Sequence, residues 1–536
     1  MSGFDAPAPL LPDLIDRQSR WLGSKPALRC GEQVLCWREF GQRLRAVAGA
    51  LQAGGVRPGD RVVVLMGNGI EMVEAMFGVL RAGACVVPLN VSISDEAVDA
   101  MLRDCGARAV IATAEHAARF DPARRDQVVL WVCVDAPSNG AAASPHAPPW
   151  QDYATWSRAA APFDSPAPIE PDSLCNIIYS SGTTGLPKGI VHTHRRRVDW
   201  AFTLAVALRY DSRAVTLCPI GLYSNISWVS LLCTLVAGGT LVIETAFDAG
   251  RCFERIAQCR VTHTSIVPVM VQRLLESPLR ATADLSSMRS IMCCGSPLAL
   301  ELKQRALTEL GGQFIELYGL TEGLITTLAP EDAAARPTSV GKPVPGTDLR
   351  LVGDDDREVP AGVAGEIVGR GQITMAGYWN RPDADADCTW VDADGKRWLR
   401  TGDIGRLDDE GFLYLVDRKK DMIISGGQNI YPADIEAVLV THPDVAEVAV
   451  IGVPSARWGE TPLAIVVPRV QPATGPADPA LAAADHAGAQ LRDWVNSRVG
   501  KQQRIAGVRF TASLPRNPNG KILKRELRRL YPDSLP

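Results

Sequence analysis

The stretch Arg61–Asn90 reads RVVVLMGNGIEMVEAMFGVLRAGACVVPLN. Val62 to Met66 is an unbroken apolar run, as expected of a strand covered on both faces. Ile70, Val73, Met76, Phe77 and Leu80 then recur at helical spacing, and Gly83 stands where a helix C-cap belongs. A second apolar run, Cys85 to Pro88, follows at once. Strand, helix and strand in so short a span imply a crossover between parallel strands, and so an α/β layer architecture.

Outward from this unit the alternation continues. It recurs around Ala109-Val110-Ile111 and Val128 to Val134, and residues 8 to 24 read as a short amphipathic helix. Residues 136 to 171, rich in Ala, Pro and Ser, are expected to form a mobile surface loop or linker. Further on, strands are expected at Val215 to Cys218, Thr240 to Ile243 and Thr264 to Val267. They alternate with helices at Val198 to Leu208, Trp228 to Val236, Phe253 to Cys259 and Val269 to Leu275. From about residue 340 short β-prone runs such as 365–368 and 411–416 suggest a smaller β subdomain. Asp417-Arg418-Lys419-Lys420-Asp421 is a run of five charges between strands, readable as a solvated turn or as a domain hinge. Beyond it Pro432 opens a helix with Ile435, Val438 and Leu439 on one face. Val445 to Ile451 and Pro462 to Val467 look like strands, and residues 471 to 487 like an exposed insertion. The expected organisation is a large N-terminal domain of α/β layers plus a β subdomain, residues 1–417, and a small mobile α+β C-terminal domain, residues 418–536.

Bulk properties narrow the function. At 536 residues the chain exceeds the ~250–300 at which one core stops growing. A hydrophobic content of 46% and a charged content of 22% are those of a water-soluble globular chain. The net charge of −4 offers no general attraction to nucleic acid. Arg195-Arg196-Arg197 is a local basic cluster, expected on a solvated helix face, with steering of anionic ligands as the alternative. The 13 cysteines are odd in number, scattered and without a CxxC pair, which argues for a reducing compartment and against disulfides or zinc. Adjacent Cys293 and Cys294 read as small buried residues. No basic-then-apolar leader and no run of ~18 apolar residues is visible, so no membrane span and a cytoplasmic location are expected.

The chemistry is concentrated in Ile178-Tyr179-Ser180-Ser181-Gly182-Thr183-Thr184-Gly185-Leu186-Pro187-Lys188-Gly189. Apolar runs flank it on both sides, so it reads as a bend between strands. Glycines let backbone N–H groups converge, while hydroxyls and one ammonium add donors suited to phosphate oxygens. It is not a Walker A loop, because Gly189 rather than Ser or Thr follows Lys188.

Further motifs follow in order. Leu317-Tyr318-Gly319-Leu320-Thr321-Glu322, Trp398 to Asp403, Asp417 to Ile424 and Pro515 to Lys521 join the loop in a pattern that resembles the superfamily of adenylate-forming enzymes. That superfamily includes acyl-CoA synthetases, peptide-synthetase adenylation domains and beetle luciferases, and the resemblance covers nearly the whole chain. It implies two steps: a carboxylate attacks the α-phosphorus of MgATP, and a thiol then displaces AMP. It also implies roles. Ser180, Ser181 and Gly182 would bind ATP, and Thr183, Thr184 and Lys188 would hold its β- and γ-phosphates, with Thr184, Glu322 and Lys521 as the catalytic residues. Thr321 would touch the α-phosphate, and Glu322 would hold Mg²⁺. Tyr318 and Gly319, flanked by Gly295, Ser296 and Pro297, would lie beside adenine. Asp403 and Arg418 would meet the ribose, and Lys521 would stabilise charge during adenylation. Lys420 would be the pivot. Gly426, Gly427 and Trp458 would line the CoA path, with Asn429 near the catalytic lysine.

The acid pocket is expected between the helix after Pro219 and the strand before Tyr318. Many acyl-CoA synthetases carry a His or an aromatic residue just past this proline, but here Ile220-Gly221-Leu222-Tyr223 follows, and Tyr223 takes the gating place. There is no Asp before Asp248 to hold an ammonium, which argues against an amino acid. Trp228, Met270, Met292, Leu324 and Ile325 suit an apolar acid, whether fatty, alicyclic or aryl, and also suit an ordinary core. The leading expectation is an AMP-forming acid:CoA ligase using ATP, CoA and Mg²⁺. Since the chain ends soon after Lys521, a fused carrier is not expected. A ligase loading a separate carrier protein and a noncatalytic nucleotide binder are the alternatives. The acid and the oligomeric state, a homodimer included, are left open.

Overall fold

The computed structural model describes residues 8–120, 125–135, 150–163, 169–180, 187–425, 428–455, 458–469, 478–501, 503–516 and 520–532. The chain forms two compact units, Met1–Asp348 with Arg370–Leu399, and Leu349–Gly369 with Arg400–Pro536.

The first unit holds two large sheets. In one, Arg61–Leu65 runs parallel to both Cys85–Pro88 and Ala107–Thr113, with the helix Ile70–Arg81 as the crossover. Backbone bonds from Gly83 N to Leu80 O and from Ala84 N to Val79 O, both 3.1 Å, close that helix where the sequence places its cap. The period of two along a strand sends alternate side chains to opposite faces. Val62 and Val64 therefore join one core with Phe77 and Leu80, while Val63 and Leu65 join another with Val98 and Leu102.

The second sheet supplies the far wall of the first core through Leu28, Leu241, Ile243 and Ile315. Its opposite face carries Leu217, Val242, Ile291 and Phe314 beneath the helices Ala249–Cys259, Pro268–Glu276 and Leu300–Glu309. Helices thus lie between the sheets and outside each of them. Burying each large apolar side chain contributes about 1.5–3 kcal/mol, which makes this layering the main stabilising term.

Two stretches read as irregular from composition are partly ordered. Within 136–171, Gln151–Asp152 is a strand and Tyr153–Ala159 a helix, capped where Asp152 Oδ1 accepts the Thr155 N–H at 2.8 Å. Tyr153 and Trp156 are buried, and two aromatics suffice to dock a segment that its many Ala and Pro residues disguise. Residues 136–149 and 164–168 lie outside the described residues. Asp478–Asn496 is a helix that overlaps the stretch 471–487 expected as an exposed insertion, of which residues 471–477 lie outside the described residues. Its run of alanines, the best intrinsic helix formers, accounts for that.

In the second unit, Gly365–Gly371, Arg397–Leu407 and Leu413–Arg418 neighbour one another in a sheet. A further sheet is centred on the antiparallel pair Val445–Ser455 and Gly459–Pro468. Val450, Ala464 and Val466 face Ile435, Leu439 and Leu491. Ala449, Ile451, Leu463 and Ile465 face Leu527 on the opposite side. All 13 cysteines are free thiols, and Cys293 and Cys294 are buried. Among the described residues, no helix is long and apolar enough to cross a membrane.

Candidate active site

The strands Leu174–Ser180 and Lys188–Thr193 pair antiparallel, with Ser180 opposite Lys188. They bracket the glycine-rich stretch. Ser181, Gly182, Thr183 and Thr184 lie outside the described residues. Lys188 is half-buried at the start of its strand.

Tyr318 and Gly319 end the strand Gln313–Gly319, which pairs antiparallel with Ile325–Leu328. The turn between them is closed by Gly323 N–H to Leu320 O at 3.0 Å and Leu320 N–H to Leu324 O at 3.1 Å. Gly323 has φ +101°, and a Cβ there would sit 2.1 Å from Ile373 O. Only glycine fits, and the resulting turn holds Thr321 and Glu322 half-buried.

Glu322 meets a residue that the sequence did not single out. Tyr378 Oη donates to Glu322 Oε1 at 2.9 Å, and Lys188 Nζ lies 5.0 Å from the centre of the Tyr378 ring. Burial, then the charge of Glu322, raises the Tyr378 pKa and keeps the hydroxyl a donor. Tyr378 arrives because Gly377–Tyr378 pairs with the strand Lys188–Thr193, opposite Ile190. No local motif announces it. The signal is a long-range strand pairing, which a single sequence does not display.

Behind the same turn, His192 Nε2 lies 3.0 Å from Thr321 O. The expected solvated face of the three arginines divides. Arg195 is exposed beside Asp172. Arg196 donates to Thr374 O. Arg197 is fully buried, because its position on the helix His194–Ala207 points into the core between Trp200 and Trp228. Three adjacent residues on a helix cannot share one face.

Gly295, Ser296 and Pro297 lie partly open after the strand Ser290–Cys293. A Cβ on Gly295 would meet Ile226 Cδ1 at 3.0 Å, so this segment touches the start of the helix Asn225–Ala237. Tyr223 is half-buried. Trp228 and Leu324 are buried, with the Trp228 indole N–H donating to Leu222 O at 3.1 Å. Asp248 caps the helix Ala249–Cys259 by accepting the Arg251 N–H at 2.8 Å.

In the second unit, Asp403 on Arg397–Leu407 stands opposite Arg418 on Leu413–Arg418, with Arg418 Nε 3.2 Å from Asp403 Oδ1. Lys521 has its pKa pushed down to about 8, first by burial and then by Arg418, with Lys420 adding to the shift. Asp403 and Asp421 oppose it. The charge run is pinned along its length. Asp417 Oδ2 accepts the Ala433 N–H at 2.9 Å, Lys419 Nζ donates to Glu366 Oε2 at 2.9 Å, and Arg528 Nη2 donates to Asp421 Oδ1 at 2.8 Å. Lys420 is exposed among these fixed neighbours, and Trp458 is 48% exposed. Asn429 lies on the strand Gln428–Ile430, while Gly426 and Gly427 fall outside the described residues.

Comparison with known proteins places the whole chain in a family. Residues 15–379 match the model of the AMP-binding enzyme family, and residues 434–521 match its C-terminal domain. A feruloyl-CoA synthase from an Amycolatopsis species is 36% identical over 96% of this chain and 98% of its own. A fatty acid–[acyl-carrier-protein] ligase from Streptomyces coeruleorubidus is 32% identical over 95% of this chain and 94% of its own. The solved o-succinylbenzoate CoA synthetase of Bacillus subtilis, in complex with its acyl-adenylate intermediate, superposes with a TM-score of 0.80 at 29% identity, covering 98% of each chain. With both family models matched in order along it, the chain belongs to the AMP-binding enzymes, the adenylate-forming superfamily, on the branch of the acid:CoA ligases.

Proposed function

We propose that this acid:CoA ligase activates an apolar carboxylic acid with a sizeable carbon skeleton, fatty, alicyclic or aryl. The acid's carboxylate oxygen attacks the α-phosphorus of ATP, the bond to the β-phosphate breaks, and pyrophosphate leaves. The sulfur of CoA then attacks the acyl carbon, AMP departs with the former acid oxygen, and the thiol proton passes to solvent.

The observation that carries the adenylation reading is the Lys188–Tyr378–Glu322 arrangement. It sets a cation, a hydroxyl and a carboxylate beside the Thr321 turn, the donor types that a polyphosphate and its counter-ion need. Glu322 offers hard carboxylate oxygen and so suits Mg²⁺, which when bound neutralises phosphate charge. Ser180 to Thr184 and Lys188 hold the outer phosphates, and Thr321 takes the α-phosphate. Tyr318, Gly319 and Gly295 to Pro297 take adenine, and Asp403 with Arg418 takes the ribose. Lys521 supplies its ammonium to adenylation, Lys420 is the pivot, and Gly426, Gly427 and Trp458 serve CoA.

For the acid, support comes from the apolar side chains Tyr223, Trp228 and Leu324 and from Asp248 being committed to a helix cap. The named acids of the relatives, feruloyl, fatty acyl and o-succinylbenzoate, all carry large carbon frameworks. Incubation with ATP and a panel of acids, with and without CoA, tests this. Pyrophosphate release coupled to CoA thioester is expected for an aryl or fatty acid. Release that never consumes CoA would favour a carrier protein as the acceptor, as in the Streptomyces relative. Turnover confined to amino acids would overturn the substrate reading.

A further inference from the structure

We propose that Arg197 and His192 are a positioning pair that fixes the Thr321 turn for adenylation. A guanidinium has donors only. The 3.3 Å approach of Arg197 Nη2 to His192 Nδ1 therefore makes Nδ1 the acceptor. The single proton of the neutral ring is then on Nε2, which donates to Thr321 O at 3.0 Å. Burial first, and Arg197 second, hold the ring well below its ordinary pKa, in keeping with one neutral tautomer.

Arg197 is itself fixed from several elements. Its Nε donates to Asn176 Oδ1 at 2.7 Å, on the strand that enters the phosphate loop. Its Nη2 donates to Asn225 Oδ1 at 2.9 Å, at the start of the helix Asn225–Ala237. The rings of Trp200 and Trp228 lie 5.0 and 4.9 Å from its Cζ. His192 stands on the strand that leaves the loop. One side chain thus ties both strands of the loop, the start of the helix and, through His192, the turn carrying Thr321 and Glu322.

Charge pairing does not explain this arginine. It is wholly buried, no carboxylate among the described residues pairs with it, and its Nη1 has no hydrogen-bond partner. A buried cation without a counter-ion is costly, and here it is held only by neutral acceptors, which its removal would leave unpaired. The directional donors of Arg197 are what a methionine of similar length lacks.

The proposal rests on the reading that Thr321 touches the α-phosphate. Small misplacements of a reacting group cost up to ~10²-fold in rate. Four variants are assayed by ATP-driven pyrophosphate release with the best acid of the panel. His192→Leu is expected to lower kcat about 10- to 100-fold with little change in the KM for ATP. His192→Gln, which keeps a side-chain N–H toward Thr321 O, is expected to restore most of the rate. Arg197→Met is expected to match His192→Leu in kcat with a lowered Tm, because three buried acceptors lose their donor, and the double variant to be no slower than either single one, since coupled groups are not additive. Multiplying losses in the double variant, His192→Gln as slow as His192→Leu, or losses confined to KM would each overturn the pair. If Arg197→Met unfolds, the His192 variants still decide. A wild-type protein releasing no pyrophosphate with any acid would instead defeat the underlying functional reading.

Discussion

The two units hold charge in opposite ways. Near the Thr321 turn in the first, Glu322 meets the Tyr378 hydroxyl, Lys188 lies over the Tyr378 ring, and Arg197 has two amides, one imidazole and two indoles. In the second, the cations Arg418, Lys420 and Lys521 act on one another, with Asp403 and Asp421 opposing them. The first arrangement fixes geometry. The second tunes a charge, and leaves the Lys521 proton near neutrality. Substitutions in the first unit should therefore change rate at every pH, and those in the second should change the pH dependence as well.

The largest expected effect is at Lys521. Lys521→Ala should lower adenylation by ~10²–10³, the usual loss for one key charge stabiliser. Thioester formation from supplied acyl-AMP should be nearly unchanged, and equal loss in both half-reactions, measured by rapid quench, would break the assignment. Next is Gly323→Ala. Its Cβ would collide with Ile373 O at 2.1 Å and displace Glu322, so kcat should fall on the order of 10²-fold at all pH values. A loss only at one pH extreme would contradict the geometric role.

Tyr378→Phe should cost less, about 10-fold, because the removed hydroxyl only orients the carboxylate of Glu322. Titrating Mg²⁺ checks it, with a raised metal requirement expected. The smallest effect concerns pH. In the proposed role Lys521 acts as its ammonium, and its pKa is lowered from 10.5 to about 8. The kcat/KM for ATP should therefore fall as pH rises through about 8. Arg418→Met removes a neighbouring positive charge, so that limb should move to higher pH. A limb that moves down or stays put would show that Arg418 does not act on Lys521.

The parts legible from sequence are those whose cause is local. Arg61–Asn90 announces its strands and helix because apolar runs and helical spacing are set within thirty residues, and the structure follows the pattern closely. Glu322 was reached through the resemblance of the Tyr318 to Glu322 motif, and the structure adds the Gly323 backbone requirement that shapes its turn. Tyr378 was invisible because strand pairing across some two hundred residues brings it to Lys188. Arg197 was misread because composition presents three equivalent arginines, whereas the helix assigns each a different face. The helix Asp478–Asn496 was not anticipated, although the alanines within it are the best intrinsic helix formers.

The central claim is that this chain makes an acyl-adenylate before any thiol is needed, and a two-stage single-turnover experiment tests it most directly. Enzyme in excess is mixed with ATP, Mg²⁺ and an acid of the panel, quenched for acyl-AMP and pyrophosphate, and then chased with CoA. The account predicts acyl-AMP and pyrophosphate in equal amounts before CoA is added, then conversion of the acyl-AMP to acyl-CoA and free AMP with the pyrophosphate unchanged. Pyrophosphate that appears only after CoA is present, or without any acyl-AMP, would contradict it.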